Sequence, residues 1–285
     1  MPQPIYEYGG DGPPLHMALA NGFPPHTYEP LLAPLTDSYR VVSLPPRAMW
    51  TPTPDPATTH TWEDTADDLL AGLESHNLTD VVGVGHSLGG VATLLAAIKQ
   101  PQRFRALILL DPTIFPPWML WSLRLMRAVG LEGRFPLVQK AHHRRATFAD
   151  ADEAFAYWRG KSLFADWDDE VLRLYVAGLT QPDGAGGLEL TWPAAWEARY
   201  YATIYTRSWQ QVPKLEGLLP VLLIRAAQSN TLFEGAAARL RREVPSMAYE
   251  ELADVGHLFP QAKPDATRAL MQAWLAKLDP VPAGD

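Results

Sequence analysis

Three short runs of this chain are apolar at almost every position: Val81-Val82-Gly83-Val84, Ala106-Leu107-Ile108-Leu109-Leu110 and the stretch from Pro220 to Ala226. A strand with one wet face alternates apolar and polar residues. A strand without alternation has to be covered on both faces, which is the condition of a parallel sheet sandwiched between helices. The intervening segments have the matching pattern. Trp62–Leu73 is apolar at 62, 66, 69, 70 and 73 and carries Glu63, Asp64, Asp67 and Asp68 on its other turns, which is helical spacing. Val91–Ile98, broken only by Thr93, predicts a buried helix. His16–Ala20 and Arg40–Leu44 add two short strands bounded by Gly and Pro. Strand, helix, strand, helix, strand predicts an α/β chain built on a mostly parallel sheet.

After Pro112 this rhythm stops for about a hundred residues, a span inside which no strand is expected. Helical stretches such as Trp118–Val129 and Asp168–Leu179 dominate, and seven of the ten Trp residues fall between 113 and 212. The alternation resumes with 220–226, a helix over about 232–244, a strand near 248–252 and a last helix over 264–278. The chain therefore divides into a sheet-forming domain, 1–112 and 213–285, and an inserted helical cap, 113–212. Pro at 45, 46, 52, 54 and 56 makes 45–56 a surface loop.

Composition narrows the function. With no Cys among 285 residues, disulfides, thiolate metal sites and a cysteine nucleophile are excluded. The net charge of −8, with Lys and Arg scattered, speaks against a nucleic-acid partner. The longest apolar run is far too short to span a bilayer, and the first residues have no basic start and no apolar stretch. The expectation is a cytoplasmic protein with no membrane partner.

The residues that carry chemistry begin with Gly85-His86-Ser87-Leu88-Gly89, followed by Gly90. G-x-S-x-G is a weak pattern alone, but here it joins an apolar strand to an apolar helix, the setting of a nucleophile elbow. In so tight a turn a side chain two residues before or after the serine would strike its neighbours, and Gly85 and Gly89 remove both clashes. A serine attacking a carbonyl also needs donors for the developing oxyanion. The amide of Leu88, at the helix start, and that of Phe23, in Ala20-Asn21-Gly22-Phe23-Pro24-Pro25, are the two candidates. His257, in Val255-Gly256-His257-Leu258, follows the last strand and is placed to reach Ser87. His60, His76, His142 and His143 lie in solvated contexts, and His86 reads as a packing or support residue.

In their order, Asn21-Gly22-Phe23-Pro24, Gly85-His86-Ser87-Leu88-Gly89-Gly90, Leu109-Leu110-Asp111-Pro112 and Gly256-His257 resemble the α/β-hydrolase superfamily. The likeness is to its serine-nucleophile branches with a helical cap, among them lipases, esterases, haloperoxidases and C–C hydrolases. Asn21 stands where such families usually have His, and Ser87 separates the chain from the branches with Asp at the elbow. The resemblance places a triad acid after strand 220–226, where this chain reads Ala227-Gln228-Ser229-Asn230-Thr231. Other branches place it at the end of the strand before the cap, which here is Asp111. A carboxylate fixes the histidine tautomer and stabilises the imidazolium, so a working enzyme keeps one. Asp111 is the preferred acid, with Asn230 as a neutral partner, Glu234 and Asp254 as alternatives; Asp254 is very close in sequence to His257.

The expected activity is hydrolysis of an ester, lactone or related small acyl substrate, with an apolar part, through Ser87, His257 and Asp111. The alternatives are cofactor-free haloperoxidation, C–C bond hydrolysis, or ligand binding without catalysis. No metal spacing and no phosphate-cradling loop is present, so no cofactor is expected. Phe115, Trp118, Trp121, Trp158, Trp196, Tyr200, Tyr201 and Trp209 are candidates for an apolar pocket wall, though most are expected to form the cap's own core. His142-His143-Arg144-Arg145 is expected on a solvated helix face.

Overall fold

The apolar runs form the middle of a sheet. A computed structural model describes residues 3–278 of the chain; residues 1–2 and 279–285, assigned above to the ends of the sheet domain, lie outside the described residues. The strands are β1 (Tyr6–Gly9), β2 (Pro14–Ala18), β3 (Arg40–Ser43), β4 (Val81–His86), β5 (Phe104–Leu110), β6 (Thr147–Phe148), β7 (Thr180–Pro182), β8 (Leu188–Leu190), β9 (Val221–Ala226) and β10 (Ala248–Leu252). Seven of them form one sheet in the order β1-β3-β2-β4-β5-β9-β10. All neighbours are parallel except β1 and β3. The fold is therefore the α/β-hydrolase one expected, with helices on both faces of a mostly parallel sheet.

Each element follows from its residues. Every residue of β4 and β9 is buried, as strands covered on both faces require. Helix Trp62–Ser75 buries Trp62, Ala66, Leu69, Leu70 and Leu73, the stripe read from spacing. It starts at a capping box in which Asp64 accepts from the Thr61 amide at 3.0 Å. Helix Leu88–Lys99 is buried along nearly its whole length. β1 escaped the sequence reading because it is a four-residue, half-buried edge strand ending at Gly9, too short for a period to show.

The direction of chain travel locates a site. From β2 the chain moves outward to β3, then crosses back to lay β4 on the other side of β2. The carboxyl ends of β2 and β4 flank the reversal, where open α/β sheets form a crevice.

The chain between β5 and β9 is mainly helical, including Pro117–Ala128, Ala151–Arg159, Asp169–Leu179 and Ala194–Ala202. The expectation that it holds no strand is corrected, since β6, β8 and β7 form a small antiparallel sheet. Strands of two or three residues show no alternation; their pairing is a tertiary event.

Candidate active site

β4 ends at His86 and helix Leu88–Lys99 begins two residues later, leaving Ser87 alone to make the turn. Its backbone sits at φ 58°, ψ −116°, a conformation non-glycine residues avoid. Both flanking glycines are required by contact. A Cβ on Gly85 would lie 2.5 Å from the Gly89 carbonyl oxygen, and one on Gly89 would lie 2.2 Å from that of Ala18. The serine stays largely buried, at 9% exposure, on the wall of a cavity of about 1590 Å³.

His257 lies between β10 and the short helix Phe259–Ala262 and reaches Ser87. Its Nε2 accepts from Ser87 Oγ at 2.9 Å, and its Nδ1 donates to Asp111 Oδ2 at 2.6 Å. Asp111 is fully buried just beyond β5, in left-handed backbone at φ 42°. Its carboxylate is further held by Ser229 Oγ at 2.6 Å, Thr231 Oγ1 at 2.9 Å and the Ala226 amide at 3.3 Å. Thr231 Oγ1 is also 2.8 Å from His257 Nδ1, so one hydroxyl touches both partners. The alternatives for the acid point elsewhere: Asn230 and Asp254 are exposed on the cavity rim, and Glu234 pairs with Arg225 at 3.0 Å.

Three contributors were missed by sequence reasoning. Ser229 and Thr231 occupy the loop where an acid was sought and not found. β5 and β9 pair in register from Leu107↔Val221 to Leu110↔Ile224, so residues leaving their carboxyl ends are neighbours. Thr113 places its hydroxyl 3.0 Å from Ser87 Oγ. An isolated hydroxyl carries no spacing that marks it, so no sequence signal singled these out.

Leu88 opens its helix, so its N–H has no partner within the helix. Phe23 follows Gly22, which sits at φ +84°, and its N–H donates to the Ala20 carbonyl at 3.2 Å, the long end of the normal range. Asn21 ties this loop to the inserted segment by donating to the Glu197 carbonyl at 3.0 Å.

The inserted segment forms the facing wall. Of the aromatic candidates, Phe115, Trp158 and Tyr201 line the cavity, joined by Tyr157, Phe164, Trp167 and Tyr175. Trp196 and Tyr200 are buried in the core, while Trp118 and Trp121 face solvent at 68% and 64% exposure. Trp209 donates to the Phe115 carbonyl at 2.9 Å. Arg144 departs from the expected solvated face. Its side chain is 7% exposed, ion-paired with Glu197, hydrogen-bonded to Tyr175 at 2.9 Å and stacked over Trp158 at 4.9 Å. Among the described residues no cluster of His, Asp or Glu is placed to hold a metal ion, and no helix is long and apolar enough to cross a membrane.

Comparison with known proteins agrees with this fold. Residues 17–270 match the family model described as the alpha/beta hydrolase family. The chain belongs to that family. Among its relatives is the 2-(acetamidomethylene)succinate hydrolase of Mesorhizobium japonicum, 23% identical over 84% of this chain and 80% of the relative. Lipase LipV of Mycobacterium tuberculosis is 29% identical over 73% of each chain. In three dimensions, the crystal structure of an E-2-(acetamidomethylene)succinate hydrolase superposes with a TM-score of 0.75 at 22% identity, covering 95% of this chain and 94% of the other. A thioesterase domain from the curacin biosynthetic pathway superposes at 0.71 and 17% identity, covering 94% of each. These structural likenesses carry the fold; the chemistry has to be argued from the residues.

Proposed function

We propose that this alpha/beta hydrolase is a serine hydrolase that cleaves an ester, lactone or related small acyl substrate. The observation that carries the reading is the unbroken line from Ser87 Oγ through His257 to Asp111, at 2.9 and 2.6 Å, with the serine facing a large cavity. His257 Nε2 takes the proton as Ser87 Oγ attacks the carbonyl, and Asp111 holds the resulting imidazolium. The Leu88 and Phe23 amides receive the negative charge that forms on the carbonyl oxygen, Phe23 sharing its long bond to Ala20. Collapse expels the alcohol, which takes the proton from His257. Water, deprotonated by the same imidazole, then releases the acid and restores Ser87.

The inserted segment, 113–212, serves as a cap whose aromatic wall selects an acyl substrate with an apolar part. The support is its share of the cavity lining, including Tyr157, Trp158, Phe164 and Trp167.

Ser87→Ala is expected to abolish both hydrolysis of a graded panel of chromogenic esters and covalent labelling by a fluorophosphonate, with the circular dichroism unchanged. Full turnover in that variant ends the proposal. Wild-type protein that binds esters but neither turns over nor labels indicates a binding module.

A further inference from the structure

His86 lies outside the line that runs from Ser87 to Asp111, yet its polar contacts admit one assignment. The side chain is fully buried, and its Nε2 lies 3.0 Å from the backbone carbonyl of His257. A carbonyl only accepts, so Nε2 carries the proton. Burial, reinforced by the His257 ring 4.9 Å away, holds this imidazole well below its ordinary pKa, which leaves Nδ1 bare. Nδ1 is 2.8 Å from the Tyr28 hydroxyl, which must donate to it. The Tyr28 oxygen in turn accepts from the Ala20 N–H at 3.1 Å. Burial raises the Tyr28 phenol far above neutrality, so its proton stays in place.

Each polar atom along this line thus has one role. Ala20 N–H donates to Tyr28, Tyr28 O–H to His86 Nδ1, and His86 Nε2–H to the His257 carbonyl. The two ends matter for the chemistry. Ala20 directly precedes Asn21-Gly22-Phe23, the loop with the oxyanion amide. His257 lies in a loop outside any strand or helix, so its backbone is not held by a ladder.

We infer that His86 is a positioning residue: set by Tyr28 as the Nε2–H tautomer, it anchors the backbone of His257 so that the imidazole meets Ser87 and Asp111 together, and it couples that loop to the one carrying Phe23. The inference rests on the serine-hydrolase reading above. It places at the second position of the elbow a residue that hydrogen-bonds to none of the reacting atoms and acts through the backbone of His257.

The first measurement is made on wild-type protein with ¹⁵N-labelled histidine. Proton–nitrogen correlation spectra are expected to show His86 as the Nε2–H tautomer, and the Nδ1–H form overturns the inference. Kinetics supply the second. His86→Gln keeps a donor near the lost Nε2 and is expected to keep most of kcat, whereas His86→Leu and Tyr28→Phe lose on the order of tenfold or more, with KM nearly unchanged, because a displaced base costs rate before binding. Folding is checked by thermal unfolding, since a purely structural role lowers the melting temperature without separating Gln from Leu in kcat. Equal kcat for His86→Leu and His86→Gln sinks the inference. If wild-type protein turns over no ester, the hydrolase reading fails, and the tautomer spectrum alone decides whether His86 is held as described.

Discussion

The seven-stranded sheet and the segment inserted between β5 and β9 reach burial by different routes. In the sheet, continuous apolar runs place Leu107, Ile108, Leu222, Leu223 and Ile224 at 0% exposure, with backbone polar groups paired along regular ladders. In the inserted segment, Trp192 and Trp196 are as deeply buried, but the same segment exposes Trp118, Trp121, Leu125, Val129 and Leu163. Its buried polar atoms left without partners include the indole nitrogens of Trp158, Trp167 and Trp192 and Nε of Arg144, whereas on the sheet strands His16 Nδ1 is in that position. A sheet satisfies its backbone as it buries side chains. A set of short helical pieces buries side chains one contact at a time, and some polar atoms are stranded. On the proposed reading, the carboxyl edge of the sheet holds the reacting residues and the segment supplies the wall that meets substrate.

The largest expected effect tests that division. Asp111→Asn, at the end of a core strand, is expected to lower kcat by up to about 10⁴-fold with the fold intact, because the histidine loses both its orientation and its counter-charge. Replacing Trp158 in the facing wall should instead change KM and chain-length preference. Comparable kcat losses in both would erase the distinction.

Next comes the largely covered ion pair in the segment. Arg144→Met leaves the largely covered Glu197 without its partner and is expected to cost about 3 kcal/mol in urea unfolding, while Arg144→Met with Glu197→Met recovers most of the loss. If the double variant is as unstable as the single, the pair matters for more than charge balance.

A smaller effect belongs to the core. His16 is fully buried, its Nε2 accepts from the Leu44 amide at 3.1 Å, and burial pushes its pKa down to about 3. Unfolded, it returns to roughly 6.5. Between those values the unfolded chain binds the extra proton, so stability falls as pH drops from about 6.5 toward 3, by up to about 1.4 kcal/mol per pH unit, and is unaffected above that window. Burial holds His86 well below its ordinary value too, so it adds with the same sign. Urea midpoints compared at pH 7.5 and 5.5 should show the decline, and His16→Gln should reduce it; an unchanged slope in that variant removes His16 as a cause. Smallest of all, Trp118→Ser and Trp121→Ser, both solvent-facing, are expected to stay within about 0.5 kcal/mol of wild type. A larger loss by thermal unfolding would mean that this face is covered in solution.

Legibility in the sequence followed the same divide. The stripe on Trp62–Ser75, the all-buried β4 and β9, and the glycines around Ser87 were readable because a helix repeats every 3.6 residues, a doubly covered strand has no polar face, and a tight turn excludes Cβ atoms. β1 and the β6–β8 sheet were not, since two to four residues contain no period. Arg144 was misplaced because a run of charges looks solvated until Glu197, far along the chain, is brought to it.

The order of residues along this chain therefore determined by itself the apolar central strands, their covering helices and the serine turn, all of which depend on neighbours a few positions away. Which group would stand behind His257 was decided only in three dimensions. Asp111, Ser229 and Thr231 come from two segments more than a hundred residues apart, and they meet because β5 and β9 lie side by side and end at the same edge. Hydrogen bonds of 2.6 to 2.9 Å depend on that adjacency, which a one-dimensional pattern does not contain.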